Sequence, residues 1–371
     1  ESILIVVDEY PASFGHTTVI KETSVRLQKI GYKVGIGAFV FKEEPPEKIE
    51  KIILNKKILF SKKENLNFDV VHLHQPKMTY FFLFKKINLP VILHYHGSSN
   101  FIQRLNFKIS MKLFYKKIEK IIPVSNTALK QIKKMSKKIP SSKVIFNGVD
   151  YNFFTGNDSN AFKKGNPQLI FVGGLRKYKK IDELISAIPK LAMKYPKVHL
   201  QVIGEGVEFS KLNEIIIEKK LQKFVEMVGK QSRKNISLRL SSSDIYVSAS
   251  RFETFSLSPL EAMASGLPVV LSEHPAHKEL IEKYNLPKAD AINNLKDLDK
   301  SELSMVEEIL IDQNKNFDEI SKLKPGTKGW RSGTGWHAAE RSSLLRAARD
   351  YALYGKENLD ALTEGSFPGK K

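Results

Sequence analysis

The sequence contains no cysteine, which excludes disulfide bonds and thiolate metal sites. It also lacks any apolar run of the roughly 18 residues that a membrane-spanning helix needs. Asp8 and Glu9 close the first apolar run after five residues, too early for a signal peptide. These absences predict a cytoplasmic protein, with at most a peripheral attachment to the inner face of the membrane.

Acidic residues are in short supply. Asp and Glu number 40 against 60 Lys and Arg, which gives a net charge of +20. Residues 101–140 carry eleven of the cations and one acid, and therefore half of the net charge. Such an excess predicts an anionic partner: a nucleotide, a phospholipid or a nucleic acid.

The basic segment allows two interpretations. Its first part, "FIQRLNFKISMKLFYKKIEK", interleaves large apolar residues with cations, as in a helix that lies on anionic lipid. An ordinary solvated helix that packs its apolar face into the domain would show the same pattern. We expect no nucleic acid as partner, because no groove-reading or base-stacking motif accompanies the charge.

The chain has 371 residues, 42% of them hydrophobic, enough for two domains. Short apolar runs alternate with helical patterns, which predicts parallel sheets built from βαβ units. We predict an α/β protein with two Rossmann-like, doubly wound domains that face a central cleft. The boundaries are 1–150 for the first domain, 151–168 for a linker rich in Asn, Gly and Lys, and 169–324 for the second domain.

The tail, residues 325–371, differs in composition. It has no Ile, both tryptophans, and four of the ten arginines. It is either vector-derived or fused sequence, or an unusual natural C-terminus, and we assign it no function.

One stretch in the second domain, "RFETFSLSPLEAMASGLPVV", carries two carboxylates, Glu253 and Glu261. Ser258, Pro259 and Glu261 match a capping box, with Ser as N-cap, Pro at the first helical position and Glu at the third. A helix that begins there, at the carboxyl end of a strand, would direct its free amides at a diphosphate. Glu261 therefore has a structural explanation, whereas Glu253 does not.

That stretch resembles the E-x7-E motif of retaining GT-B glycosyltransferases of the family-4 type. Supporting matches follow the family's order over roughly residues 1–285: "FNGVD", "FVGGLRKYKKIDELISAI", "LQVIGEG", "VEMVG" and "DIYVSASRFETF". The resemblance implies metal-independent, retaining transfer of a sugar from a nucleotide-sugar to a glycan or lipid-linked acceptor. It implies a role in cell-surface polysaccharide or glycolipid synthesis, with a UDP- or GDP-sugar as co-substrate and no cofactor.

The resemblance also implies residue roles. Glu253 would contact the donor sugar, Glu261 the ribose hydroxyls, and the backbone amides of Phe255, Ser256 and Leu257 the diphosphate. The glycine-tipped strand ends, with Gly173, Gly174 and Gly204, would lie beside the nucleotide. The departing phosphate itself would serve as base for the acceptor hydroxyl, in a front-face reaction that retains configuration.

The sequence departs from the family in the segment that neutralises the departing diphosphate. Gly174 stands where an arginine is expected, and Lys179 fits the usual lysine. Either Arg176, two residues further on, supplies the missing positive charge, or the site has no equivalent of that arginine. Lys180 replaces a usual glycine. Preorganised cations at this place would lower the barrier to departure of the diphosphate.

In the first domain, Gly15 and His16 lie in the first strand–helix loop, where glycine permits close approach of a phosphate or acceptor. His96 matches the family's histidine near the reacting sugar. His72, His74, His94 and His96 together suggest zinc, but we expect no metal. Alternation along each strand turns each pair to one side of its own strand, and the family needs none.

Three other functions compete with sugar transfer. A nucleotide-sugar 2-epimerase has the same fold, although it should lack the E-x7-E pair. A non-catalytic nucleotide-sugar-binding protein would explain Gly174. A nucleic-acid binder rests on net charge alone.

Overall fold

The computed structural model describes residues 1–11, 16–54, 67–83, 89–155, 160–283 and 291–292. They fall into two compact units, the first ending at Asn147 and the second beginning at Gly148. The end of the predicted second domain and the tail 325–371 lie outside the described residues. Within the described part of the chain, no helix combines the length and the apolarity that crossing a bilayer requires.

The first unit is built on a parallel sheet of seven strands, in the order β5-β3-β1-β6-β7-β8-β9, with β2 and β4 paired separately. Its strands are β1 (Ser2–Val6), β2 (Glu9–Tyr10), β3 (Lys33–Ala38), β4 (Val40–Phe41), β5 (Glu50–Ile53), β6 (Val70–Leu73), β7 (Val91–Tyr95), β8 (Lys120–Pro123) and β9 (Ser141–Ser142). Its helices are α1 (His16–Lys29), α2 (Met78–Leu83), α3 (Phe101–Phe114) and α4 (Asn126–Met135). The strand order reverses between β1 and β6, the place where such sheets bind ligands.

The second unit has a parallel sheet of six strands, in the order β12-β11-β10-β13-β14-β15. Its strands are β10 (Gln168–Val172), β11 (His199–Ile203), β12 (Val225–Gly229), β13 (Ile245–Ser248), β14 (Val269–Ser272) and β15 (Ala291–Ile292). Its helices are α5 (Tyr151–Phe154), α6 (Ile181–Lys194), α7 (Phe209–Glu218), α8 (Arg233–Ser241), α9 (Leu257–Ala264) and α10 (Pro275–Lys283). The reversal here falls between β10 and β13.

Strand β10 is buried on both faces, as the continuous apolar run "LIFV" predicts. Leu169 and Phe171 pack into one hydrophobic cluster with residues of α6 and α7. Ile170 and Val172 point the other way, into a cluster with α5, α9 and α10. Helices therefore cover both sides of this sheet, which confirms the prediction of a doubly wound α/β fold.

The segment 151–168 contains more order than its composition suggests. Asp150 accepts a hydrogen bond from the Phe153 amide at 3.2 Å and so caps helix α5. The Phe154 side chain is fully buried in the second unit. The first residues of the predicted linker therefore belong to the packed core of that unit.

Candidate active site

Two loops leave the carboxyl edge of the second unit's sheet at its reversal point. One connects β10 to α6 and contains a 3-10 turn at Lys177–Lys179, and the other connects β13 to α9. The backbone N–H of Arg251 donates to the Tyr178 carbonyl at 2.8 Å, which joins the two loops. The candidate site is built at this junction.

Lys179 and Glu253 meet there. The ammonium nitrogen lies 2.5 Å from Glu253 Oε1, and the two side chains are only 19% and 13% exposed. Burial alone would lower the pKa of Lys179, but the adjacent carboxylate raises it above its ordinary value. The sequence predicted both residues for the site, and the structure places them in direct contact.

A buried carboxylate, that of Glu183, links the two loops that carry this contact. Glu183 accepts from Lys180 at 3.1 Å and from Arg251 at 3.2 Å, and its side chain is 4% exposed. Lys180 and Arg251 come from the two different loops. The carboxylate therefore fixes the spacing of the loops that carry Lys179 and Glu253.

The predicted capping box at Ser258 is wrong. Helix α9 begins at Leu257 with Ser256 as its N-cap, and the Ser256 side chain makes no capping hydrogen bond. Ser258 and Pro259 lie within the first turn, and Glu261 lies beyond the third helical position. Proline is tolerated there because first-turn N–H groups have no intrahelical partner.

The amides predicted for diphosphate binding do lie at this helix start. The helix geometry leaves the N–H groups of Leu257 and Ser258 without intrahelical acceptors. The Ser256 side chain points away from its helix and contacts His277 Nε2 at 3.1 Å, while His277 Nδ1 lies 3.0 Å from the Ser272 carbonyl. This buried histidine holds the loop by its side chain and leaves the start of the helix open for an anion.

The Glu261 carboxylate does not cap the helix and is largely shielded from solvent. Burial raises its pKa to about 7, although the Arg233 guanidinium partly offsets this. Tyr246 lies beneath both carboxylates: its hydroxyl contacts the Val172 carbonyl at 3.4 Å, and burial together with Glu253 and Glu261 raises its pKa. Sequence reasoning missed Arg233, His277 and Tyr246, because no local motif marks them: Tyr246 lies within β13, and Arg233 and His277 lie in the first turns of α8 and α10.

The glycines of this edge have steric reasons. Gly204 has φ +139°, and a Cβ there would lie 1.9 Å from the Gly173 carbonyl oxygen. Gly173 in turn donates its N–H to the Ile203 carbonyl at 3.0 Å. Close packing of the strand ends therefore accounts for both, and their contact with a nucleotide stays a prediction.

The positively charged turn shows where the family pattern is changed. Lys180 occupies the left-handed region with φ 53°, a conformation that favours the glycine usual at this place. Gly174 is exposed, and a Cβ added to it would meet open space, so nothing steric forbids an arginine there. Arg176 begins the 3-10 turn, and its carbonyl accepts from Lys179 N–H at 2.9 Å. Whether Arg176 replaces the missing charge stays a prediction.

Five histidines of the first unit form a second group at the carboxyl edge of β1, β6 and β7. His74 Nδ1 lies 2.9 Å from His96 Nε2, and the ring centroids of His16 and His96 are 4.3 Å apart. The rings of His72 and His94 are stacked with centroids 5.3 Å apart. Each pair lies on one side of its own strand, as alternation predicts, and the adjacent strands β6 and β7 bring both pairs to one place.

Burial keeps these imidazoles neutral at pH 7. It lowers the pKa of His16 and of His72 to about 4 each, and the pKa values of His74, His94 and His96 are also well below their ordinary value. Gly15, which was predicted beside them, lies outside the described residues. The rings of His16 and His96 lie together, and their role beside a reacting sugar stays a prediction.

Two family models match successive parts of the chain. "Glycosyltransferase Family 4" matches residues 15–153, and "Glycosyl transferases group 1" matches residues 154–298. An uncharacterized glycosyltransferase of Methanocaldococcus jannaschii is 28% identical over 70% of this chain and 72% of its own length. N-acetyl-alpha-D-glucosaminyl L-malate synthase of Bacillus anthracis is 21% identical over 64% of each chain. An alpha-monoglucosyldiacylglycerol synthase of Acholeplasma laidlawii is 29% identical, over 28% of this chain and 26% of its own.

Solved structures agree on the fold. HepE of Anabaena, in complex with UDP-glucose, superposes with a TM-score of 0.72 at 15% identity, over 98% of this chain and 100% of its own. WaaG, a glycosyltransferase of lipopolysaccharide biosynthesis, superposes with a TM-score of 0.63 at 13% identity, over 98% and 100%. Both share the GT-B architecture that the two sheets display. The chain belongs to the GT-B glycosyltransferases of the family-4 type.

Proposed function

We propose that the protein transfers a sugar from a nucleotide-sugar to an acceptor hydroxyl with retention of configuration and without a metal ion. The observation that carries this proposal is the contact between Lys179 and Glu253 beside the start of α9. A partly buried cation and the first amides of a helix lie at one sheet edge, where they can stabilise a departing diphosphate.

The donor would occupy the second unit. Its diphosphate would accept hydrogen bonds from the backbone amides of Ser256 and Leu257. It would also replace Glu253 as the anionic partner of the Lys179 ammonium. Glu253 would then be released to accept hydrogen bonds from hydroxyls of the transferred sugar. Glu261 would accept from the ribose hydroxyls, with Arg233 beside it to favour the ionised carboxylate.

Retention would follow from the donor's own chemistry. As the bond between the anomeric carbon and the phosphate oxygen breaks, that oxygen gains charge and can take the acceptor's hydroxyl proton. The acceptor oxygen then forms its bond on the face that the phosphate leaves. Neither Glu253 nor Lys179 needs to form a covalent bond, and His96 would orient the sugar or the acceptor from the first unit.

Several relatives suggest which donor to try first. HepE was solved with UDP-glucose, and the names of other relatives describe transfer of N-acetylglucosamine or glucose. Thermal-shift measurements should compare UDP-, GDP- and ADP-sugars, since a ligand at 100 times its Kd adds about 2.7 kcal/mol of stability. We expect a UDP-sugar to give the largest shift.

Product analysis decides the mechanism. The reaction contains an acceptor, EDTA and the nucleotide-sugar that raises the melting temperature most. We expect proton NMR to show a product with the same anomeric configuration as the donor. An isomerised sugar formed without acceptor would identify an epimerase, and donor binding without turnover would identify a binding protein. Loss of turnover in EDTA that Mg²⁺ or Mn²⁺ restores, or an inverted product, would contradict the mechanism.

We propose further that the acceptor is lipid-linked and that helix α3 holds the enzyme on an anionic membrane. One face of α3 packs into the first unit through Phe107, Met111 and Phe114. The opposite face exposes a second apolar stripe, made of Phe101, Ile102, Leu105, Ile109 and Leu113, which are 37–77% exposed. The apolar residues of this stripe are therefore not buried in the core of the unit. The exposed side chains of Arg104, Lys108 and Lys112 flank the stripe.

Replacing Leu105 and Ile109 together by Glu should release the protein from anionic vesicles. Each buried apolar side chain contributes about 1.5–3 kcal/mol, so the vesicle-bound fraction should fall at least about tenfold. Flotation with equimolar phosphatidylglycerol and phosphatidylcholine, at about 0.15 M salt, measures it.

The matched control is Ile217→Glu, at a residue that is 54% exposed on α7 of the second unit. This variant should float like the unaltered protein. Equal flotation on pure phosphatidylcholine would contradict the electrostatic part of the proposal, and unchanged flotation of the double variant would contradict the role of α3.

A further inference from the structure

We infer that the first unit binds a zinc ion through His72, His74 and His94. One ring nitrogen from each of these buried histidines forms a group whose atoms all lie within 4.8 Å of one another. The proposed sugar transfer uses neither His72 nor His94. The argument rests on the first unit alone and is independent of the proposed sugar transfer.

The fold brings these three side chains together from two strands. His72 lies in β6 and pairs with Ile92 of β7, so that His74, just past the end of β6, lies beside His94. The two-residue spacing of His72 and His74 puts both rings on the same face as His94. Strand geometry, and not a mobile loop, therefore positions all three ligands, as a defined metal site requires.

Unused hydrogen-bonding capacity marks the same place. His72 Nε2, His74 Nε2 and both ring nitrogens of His94 are buried without any hydrogen-bond partner among the described residues. Each such buried nitrogen has lost its hydration without gaining a hydrogen bond, which is unfavourable. A metal ion would accept one lone pair from each ring and offset much of that loss.

The set of donors selects the metal. Three neutral imidazoles suit Zn²⁺, Cu²⁺ or Ni²⁺, whereas Mg²⁺ and Ca²⁺ require oxygen ligands. Zinc accepts three histidines and a fourth, exchangeable ligand, with Zn–N distances near 2.1 Å. Tetrahedral geometry places such nitrogens about 3.4 Å apart, so modest rotation of the rings would bring them into range.

His96 would act from outside the ligand group. When His74 Nε2 binds the ion, His74 Nδ1 must carry the proton, and it donates to His96 Nε2 across the observed 2.9 Å. The ion would therefore fix the orientation of both rings. His96 is a positioning residue for the metal in this arrangement.

Metal titration of the full-length chain tests the inference. After treatment with a chelator and dialysis, the protein should bind one Zn²⁺ per chain, with a rise in melting temperature. Co²⁺ should replace it and produce the intense visible absorption of a four-coordinate, nitrogen-ligated ion. Mg²⁺ should cause neither change.

Variants locate the ion. His94→Gln should weaken Zn²⁺ binding by at least about 100-fold and abolish the Co²⁺ spectrum, and His96→Gln should weaken binding by about 10–100-fold. His199→Gln, at a buried histidine of the second unit, is the matched control and should bind one ion. His72→Gln serves as a second ligand variant if circular dichroism shows that His94→Gln does not fold.

Two results would overturn the inference. One is the absence of stoichiometric Zn²⁺ or Co²⁺ binding by the unaltered chain. The other is a Co²⁺ spectrum that survives unchanged in a folded His94→Gln or His72→Gln protein. Neither result depends on whether sugar transfer is observed, so this test and that of the proposed function fail separately.

Discussion

Lys179→Met should lower kcat for sugar transfer by about 100- to 1000-fold, while donor binding changes much less. Removal of one preorganised group that stabilises developing charge typically costs this much. Met keeps the length of the side chain and removes the ammonium that lies 2.5 Å from Glu253 Oε1. Steady-state kinetics with the UDP-sugar that gives the largest thermal shift measures the effect.

A structural role for the ion pair predicts a different result. Breaking a buried pair from one side destabilises a protein by about 3–5 kcal/mol, so Lys179→Met alone lowers stability under either explanation. Adding Glu253→Gln removes the uncompensated charge and should restore much of the stability. If catalysis needs the ammonium, kcat in the double variant stays well below that of Glu253→Gln alone, the variant that measures the loss of the carboxylate itself.

Lys177→Met is the matched control, because Lys177 is exposed in the same 3-10 turn. We expect it to retain kcat within a factor of a few. Recovery of kcat together with stability in the Lys179→Met/Glu253→Gln variant would exclude Lys179 as the group that stabilises the departing diphosphate.

Glu261→Gln should stabilise the protein above pH 7 and at the same time weaken donor binding. Burial raises the pKa of Glu261 from 4.5 to about 7. The folded chain therefore binds a proton more tightly than the unfolded chain, and stability falls as pH rises from about 4.5 to 7. Above pH 7 the loss is complete, at roughly 3 kcal/mol.

The variant lacks this loss, so urea unfolding at pH 8 should show a gain of roughly 3 kcal/mol, with little difference from the unaltered protein near pH 4.5. Loss of a carboxylate that accepts from the ribose should raise the donor's Kd about tenfold or more. Glu214→Gln, at an exposed position on α7, should change neither quantity. A destabilised Glu261→Gln protein at pH 8 would contradict the account of its burial.

The strands and helices of the second unit were predictable because each carries its own signal. The sequence pattern predicts a helix over 181–194 and a strand over 225–229, and the structure has both elements with these bounds. The start of α9 was not predictable, because Pro259 fits the first and the third helical position equally well in a sequence. The choice between them depends on the buried contact of Ser256 with His277, twenty-one residues away.

The histidine group shows a second limit. The alternation of side chains within β6 and within β7 can be predicted from the sequence, but the pairing of these two strands in the sheet cannot. Once β6 lies beside β7, His72 and His94 stack, and the argument against a shared site fails. The sequence predicted that Lys179 and Glu253 belong to one site, but not that their side chains touch. That contact depends on how the two loops pack against each other at the sheet edge.

The buried carboxylate of Glu183 also bears on how donor preference can change during evolution. It joins the loop of Lys180 to the loop of Arg251, so neither loop can move without breaking a charge-assisted contact to a carboxylate whose side chain is only 4% exposed. A larger or smaller sugar must therefore be accommodated by exchange of side chains at the loop tips. We expect homologues with altered donor preference to vary at those tips and to keep an acid at the position of Glu183.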